Sequence, residues 1–109
     1  MKTAFVTGGS RGIGSAIALA LGKTFHVVVG FANSEDKAND VVKEIVAAGG
    51  SASTVQIDIS DAESVDNAFT TIEKEYNSVD VLINNAGVTK DNILPRMKED
   101  EWLEVIQTN

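Results

Sequence analysis

The residues best placed to do chemistry are Thr7-Gly8-Gly9-Ser10-Arg11-Gly12-Ile13-Gly14, which stand between the apolar Ala4-Phe5-Val6 and a run of helical period. Glycines between a strand and a helix let the backbone turn tightly, let a pyrophosphate approach the main chain, and let helix and strand pack closely. The helix start then presents free N–H groups and a partial positive charge to phosphates. Such a turn can also be a merely structural link. Its place at the head of a strand, helix, strand series is what favours the nucleotide reading. Nothing else in the chain competes. There is no cysteine, the single histidine, His26, opens a strand and reads as structural, and no metal-ligand cluster, nucleophile with a base or convincing carboxylate pair is present.

The second strand carries information about the dinucleotide. A carboxylate at its end would accept from a ribose 2′-hydroxyl and repel a 2′-phosphate. Here the stretch is Gly30-Phe31-Ala32-Asn33-Ser34, with no acid before Glu35, while Arg11 can give a charge-assisted bond to phosphate. NADP(H) is therefore favoured over NAD. The alternative is a solvated Arg11, with Glu35 and Asp36 only starting the second helix favourably.

The elements that would position these residues alternate regularly. After the first helix (Ile13, Ala16, Ile17, Ala20, Leu21) comes the strand Val27-Val28-Val29, and Ala38, Val41, Val42, Ile45 and Val46 mark a second helix closed by Gly49-Gly50. Thr54 to Ile59 reads as the third strand. Ser60-Asp61-Ala62-Glu63 has the form of a capping box before a third helix with Val65, Ala68, Phe69, Ile72 and Tyr76 on one face. Val81-Leu82-Ile83 is the fourth strand. A loop with the only proline, Pro95, leads to a last helix whose face carries Trp102, Leu103, Val105 and Ile106. This order predicts an α/β, Rossmann-like parallel sheet of about four strands, order 3-2-1-4, with helices on both faces, forming a single domain over residues 1–109.

Composition narrows the partners. Sixteen acidic against nine basic residues give a net charge of −7, which repels nucleic acid and anionic lipid surfaces. No apolar run approaches the ~20 residues of a membrane span, and no secretory signal opens the chain. The expectation is a soluble protein, compatible with a reducing cytoplasm.

The spacing Gly-xxx-Gly-x-Gly, together with Asn84-Asn85-Ala86-Gly87 directly after the fourth strand, resembles the short-chain dehydrogenase/reductase family. The run "LINNAGVTKDNILPRMKEDEWLEVIQTN" is similar to 3-oxoacyl-acyl-carrier-protein reductases of bacterial fatty acid synthesis. The resemblance implies that Gly8, Ser10, Arg11, Gly12, Ile13 and Gly14 hold the phosphates of a dinucleotide, and that Asn33 and Ser34 lie at its ribose. It further implies that Asp58 and Ile59, ending the third strand, border the adenine, and that Asn85, Ala86 and Gly87 lie on the nicotinamide side. Thr7 would brace the loop against the Asn84 segment, and Asn84 itself is more plausibly a structural tie. One departure is noted: the family usually has a glycine near Phe25, which predicts a shifted or slightly strained turn at Gly22-Lys23-Thr24-Phe25.

The resemblance also implies a catalytic set of Asn, Ser, Tyr and a Lys four residues after the Tyr. Asn109 matches the asparagine by its place in "IQTN". The only tyrosine, Tyr76, is followed four residues on by Asp80 and falls on a core face, so the Ser, Tyr and Lys are expected beyond Asn109. The expectation is the cofactor half of an NADPH-dependent reductase, truncated before the fifth strand and inactive by itself. An acyl-carrier-protein-linked substrate would be met only in a full-length parent. The alternative is a non-enzymatic, self-associating flavodoxin-like or half-Rossmann fragment. Either way a homo-oligomer is expected, through the open edge of the fourth strand or through the last helix.

Overall fold

Successive strand residues point to opposite faces of a sheet, so apolar residues in an unbroken row require cover on both sides. Ala4, Phe5 and Val6 are all fully buried. The computed structural model describes residues 1–10, 12–85 and, for the backbone, 103–106. Its elements are β1 (Thr3–Thr7), α1 (Gly12–Leu21), β2 (His26–Phe31), α2 (Glu35–Ala47), β3 (Ser51–Gln56), α3 (Ala62–Tyr76), β4 (Val81–Asn84) and β5 (Leu103–Ile106). All pair in parallel, in the order β3-β2-β1-β4-β5. Phe5, Val28 and Leu82 pack with Val65, Ala68, Phe69 and Ile72 of α3 on one face. Val6, Val27, Val29 and Ile83 pack with Ala18 of α1 and Ala38, Val41 and Ile45 of α2 on the other. The arrangement is Rossmann-like, with the expected order 3-2-1-4 at its heart.

Several local expectations are corrected. The third strand is Ser51–Gln56 and not Thr54 to Ile59, because Ser51 and Ser53 have polar partners that hold this edge strand to β2. The cap of α3 is Asp61, whose carboxylate accepts from the Glu63 N–H. The Ser60 hydroxyl is turned to Asp58 instead, donating to its Oδ1 as the Ser60 N–H also does. On α1 the buried residues are Gly14 and Ala18, whereas Ile13 is half exposed. The turn before β2 is unstrained: Phe25 N donates to Leu21 O, and Asn77 is the only described residue besides glycine with positive φ. Gly49, at φ +91, closes α2 as expected, with Gly50 N donating to Ile45 O.

The largest correction concerns the end of the chain. Leu103–Ile106 is a strand and not part of a helix, and it pairs with β4 from Val81↔Leu103 to Asn84↔Ile106. The edge of β4 is thus neither open nor the last of the sheet. Unpaired strand-edge N–H and C=O groups are satisfied by another strand and not by a helix. Leu-Glu-Val-Ile suits that role, because apolar residues two apart fit a strand as readily as a helix in so short a run. Trp102 and residues 107–109 lie outside the described residues.

His26 lies at the amino end of the parallel strands, the end opposite the glycine loop. Its Nδ1 lies 2.6 Å from Ser51 Oγ and its Nε2 3.1 Å from Ser53 Oγ, which also accepts from the Tyr76 hydroxyl. The Tyr76 ring stacks on the imidazole at 4.2 Å. A neutral ring, donating through one nitrogen and accepting through the other, serves this arrangement. Burial pushes the His26 pKa down from its ordinary value, against the raising effect of the Glu75 carboxylate. The unfolded chain therefore takes the proton more readily. This contribution to stability is complete above pH ~6.5 and is lost as the pH falls through that value toward the folded pKa. Melting temperatures between about pH 8 and 5 should show the loss, and His26→Gln should flatten it. A slope unchanged in the variant would place the acid sensitivity elsewhere.

Candidate functional site

In an open parallel sheet a ligand crevice forms at the carboxyl ends of the strands, where the order reverses. Here that point lies between β1 and β4. The glycine loop follows β1 and Asn85 follows β4, and Thr7 and Asn84 are paired in register. Thr7 Oγ1 donates to Asn84 Oδ1 at 3.1 Å, with the Ile83 carbonyl at 3.4 Å, and both residues are buried. This bond closes the floor of the crevice. Gly9 N donates to Gly30 O at 3.1 Å, fastening the loop to β2.

The loop is packed without spare room. A Cβ on Gly14 would stand 2.2 Å from Gly8 O and 2.7 Å from Asn85 Nδ2. Asn85 Nδ2 donates to Gly8 O at 3.3 Å, which orients the amide. Its Oδ1 is buried and has no hydrogen-bond partner among the described residues. An orphaned buried acceptor is costly unless a donor arrives, so it fits a crevice that receives a hydroxyl- or amide-bearing ligand. The first turn of α1 has no acidic residue, whereas α2 begins with Glu35 and Asp36 and α3 carries Glu63. Among these three helices α1 therefore offers the least opposed N-terminal field to a phosphate.

A second hollow of about 660 Å³ lies beyond the ends of β2 and β3 and is lined by Ala32, Asn33, Gln56, Asp58, Asp61 and Glu63 among others. Its acids repel phosphate and suit a ring bearing an amino donor. Asp58 Oδ1 accepts from the Ser60 hydroxyl at 2.6 Å and the Ser60 N–H at 3.0 Å, and these bonds hold its pKa below the ordinary value. Asp58 N in turn donates to Ser64 Oγ. The charges thus divide the crevice into a phosphate end at α1 and a base end at α3.

The structure brings together Gly8, Ser10, Gly12, Ile13, Gly14 and Asn85 at the first end, and places Asn33 and Asp58 at the second. Asp58 and Ile59 follow β3 instead of ending it. Ser34 is the cap residue of α2. Arg11, Ala86, Gly87 and Asn109 lie outside the described residues. Tyr76 sits with His26 at the amino end of the strands, away from the crevice. Two residues escape the sequence reading. Gln56 Nε2 donates to Ala32 O at 3.2 Å, tying the tops of β2 and β3 together, and its only signal is a polar residue closing a strand. Lys37 lines a cleft with Ser10 and Gly12, and no local pattern signals it, because only the fold sets α1 beside α2.

No group of three or more potential metal ligands occurs among the described residues, and no helix there is long and apolar enough to cross a membrane. Comparison with known proteins gives consistent matches. The chain is 49% identical over 109 residues to the 3-oxoacyl-[acyl-carrier-protein] reductase FabG of Staphylococcus epidermidis, covering 99% of this chain and 45% of that protein. The 3-oxoacyl-[acyl-carrier-protein] reductase of Synechocystis is 48% identical, at 99% and 44% coverage. The chain thus spans less than half the length of these curated relatives. Among solved structures, a metagenomic short-chain oxidoreductase in complex with NADP superposes with TM-score 0.75 and 42% identity, over 80% of this chain and 39% of that one. A Serratia marcescens short-chain dehydrogenase/reductase gives 0.74 and 39%, over 80% and 36%. The model of the short chain dehydrogenase family matches residues 2–109, and with the crevice between β1 and β4 this establishes that the chain belongs to that family.

Proposed function

We propose that these residues form the NADP(H)-binding part of an oxidoreductase acting like a 3-oxoacyl-[acyl-carrier-protein] reductase. The observation that carries the reading is the fit of the phosphate end: an acid-free α1 N-terminus behind a loop in which Gly14 touches Gly8 and Asn85. The relatives' names and the NADP-bound neighbour support it. Bound NADPH would supply hydride to the carbonyl carbon of a β-ketoacyl thioester. The chain's own residues would bind and orient. Backbone N–H groups at the start of α1 receive the pyrophosphate, Asn85 Oδ1 accepts from the nicotinamide-side ribose, and Asp58 borders the adenine.

Reduction of a ketone also needs a proton donor at the forming alkoxide. The 109 residues contain one tyrosine, Tyr76, with Asp80 and not lysine four positions on. We therefore assign the donor to sequence outside them and expect no turnover by this chain alone, with Asn109 idle. A cytoplasmic setting accords with a cysteine-free chain. Calorimetric titration tests the cofactor reading. The chain should bind NADPH more tightly than NADH, and Arg11→Ala should weaken NADPH by about tenfold or more while sparing NADH. Equal losses for the two would remove the NADP assignment, and NADPH-dependent turnover of a β-ketoacyl thioester above background would overturn the incompleteness.

A further inference from the structure

β3 stands at one end of the sheet, with β2 as its one neighbour among the described residues. The backbone groups of a strand turn alternately to its two sides, so a single bond fixes the rest. Just past the strand, Ile57 N donates to Phe31 O, which turns Val55, Ser53 and Ser51 toward β2 as well. Ala52, Thr54 and Gln56 therefore direct their N–H and C=O groups outward, where they meet no partner among the described residues. Proteins protect such an edge with charge, proline or a bulge. Ser-Ala-Ser-Thr-Val-Gln has neither charge nor proline, and its register with β2 runs unbroken from His26↔Ser51 to Phe31↔Gln56. The edge is open to a further strand.

Beside this edge lies a hollow of about 470 Å³, lined among others by Phe31, Glu35, Thr54 and Gln56. Thr54 and Gln56 stand opposite Val29 and Phe31 in register, and those two pack on the α2 side of the sheet, so the hollow opens on that face. Side chains alternate along a strand, hence every second residue of an added strand would be set beside Thr54 and Gln56, over the hollow. Its chemistry selects among residues. Phe31 is buried and gives an apolar wall, while Glu35 is exposed and has no ion-pair partner among the described residues. Gln56 Nε2 donates to Ala32 O, which steadies its amide. A long basic side chain fits this hollow, its stem against the ring and its charged head at the carboxylate. The net charge of −7 also draws a basic segment and opposes pairing with a second copy of the chain. We propose that the β3 edge and this hollow form a docking site for an extended, basic segment of another protein, which adds to the sheet as a strand and seats an arginine or lysine at Glu35. The inference goes beyond the dinucleotide reading and does not depend on it.

The test is fluorescence anisotropy at low ionic strength with the fluorescein-labelled peptide TRVRVT-amide, whose arginines share one face of a strand and whose valines share the other. Glu35→Gln should weaken its binding by about five- to tenfold, and TEVEVT-amide should bind the wild-type chain at least about tenfold more weakly. Both differences should shrink as salt is added. Hydrogen exchange gives a second reading. Bound TRVRVT-amide should slow exchange at the amides of Ala52, Thr54 and Gln56 and leave those of Ser53 and Val55, already bonded to β2, as they were. Failure of TRVRVT-amide to bind, wild-type affinity in Glu35→Gln, or protection that misses these three amides overturns the proposal. So does a chain that is dimeric by light scattering with the three amides already protected, since a second copy then occupies the edge.

Discussion

Gly14→Ala should weaken dinucleotide binding and lower the melting temperature at once. The added methyl would lie 2.2 Å from the Gly8 carbonyl oxygen and 2.7 Å from Asn85 Nδ2. The nearer contact is backbone, so relief requires the loop to part from α1. Overpacking of this kind costs about 3 kcal/mol. For a chain of this size that corresponds to a fall on the order of 10 °C. The same displacement moves the phosphate-facing N–H groups and breaks the bond that orients Asn85, so NADPH affinity should fall by at least about tenfold. Thermal unfolding with and without NADPH reads both effects. A variant that melts and binds like the wild type would show that the loop is not packed as described.

Phe69→Ala should be the most damaging core substitution. Phe69 is 1% exposed and meets Phe5 edge to face, with ring centroids 5.4 Å apart and planes at 75°. It is the ring by which α3 holds β1, the strand at the centre of the sheet. Removing a buried phenylalanine costs about 3–5 kcal/mol. Domains have about 5–15 kcal/mol in all, so little would remain. Phe69→Leu keeps most of the volume and should stay folded, and a cycle with Phe5→Leu would isolate the ring pair's coupling of about 0.5–1.5 kcal/mol. A denaturant midpoint within error of the wild type for Phe69→Ala would refute the packing.

What could be read from the sequence follows from how each signal arises. β1, β2 and β4 are buried on both faces, so unbroken apolar runs announced them, and α2 and α3 bury one stripe with a clear helical period. The start of β3 was hidden because Ser51 and Ser53 face His26, a long-range partner that no local pattern displays. α1 misled in a different way. Its fully buried residues are the small Gly14 and Ala18; Ile17 and Leu21 pack beside them as expected, whereas Ile13, Ala16 and Ala20 of the expected face are exposed. Leu103–Ile106 was read as helix because apolar residues at 103, 105 and 106 of so short a segment fit both periods, and only the unpaired edge of β4 decides between them.

In the candidate site the glycines and Asn85 were legible because motif spacing encodes backbone demands directly. The charge partition between the two ends was not. It depends on which acids the fold gathers beyond β3, and on Asp61 instead of Ser60 capping α3.

The pairing of β1 with β4 also sets an order of assembly. Thr3 N donates to Asp80 Oδ2 across 77 residues of chain, while β1 finds β2 much sooner. At about 5–20 residues per second on the ribosome, the first strand waits roughly 4–15 s for its second neighbour. During that interval β1, β2 and β3 can form a half-sheet, but the crevice has only one wall. The ligand-receiving cleft thus comes into existence only once β4 has joined, later than the half-sheet of β1, β2 and β3. A bound dinucleotide would act as a clasp on that closing step, and its greatest influence would be on how fast the finished sheet reopens.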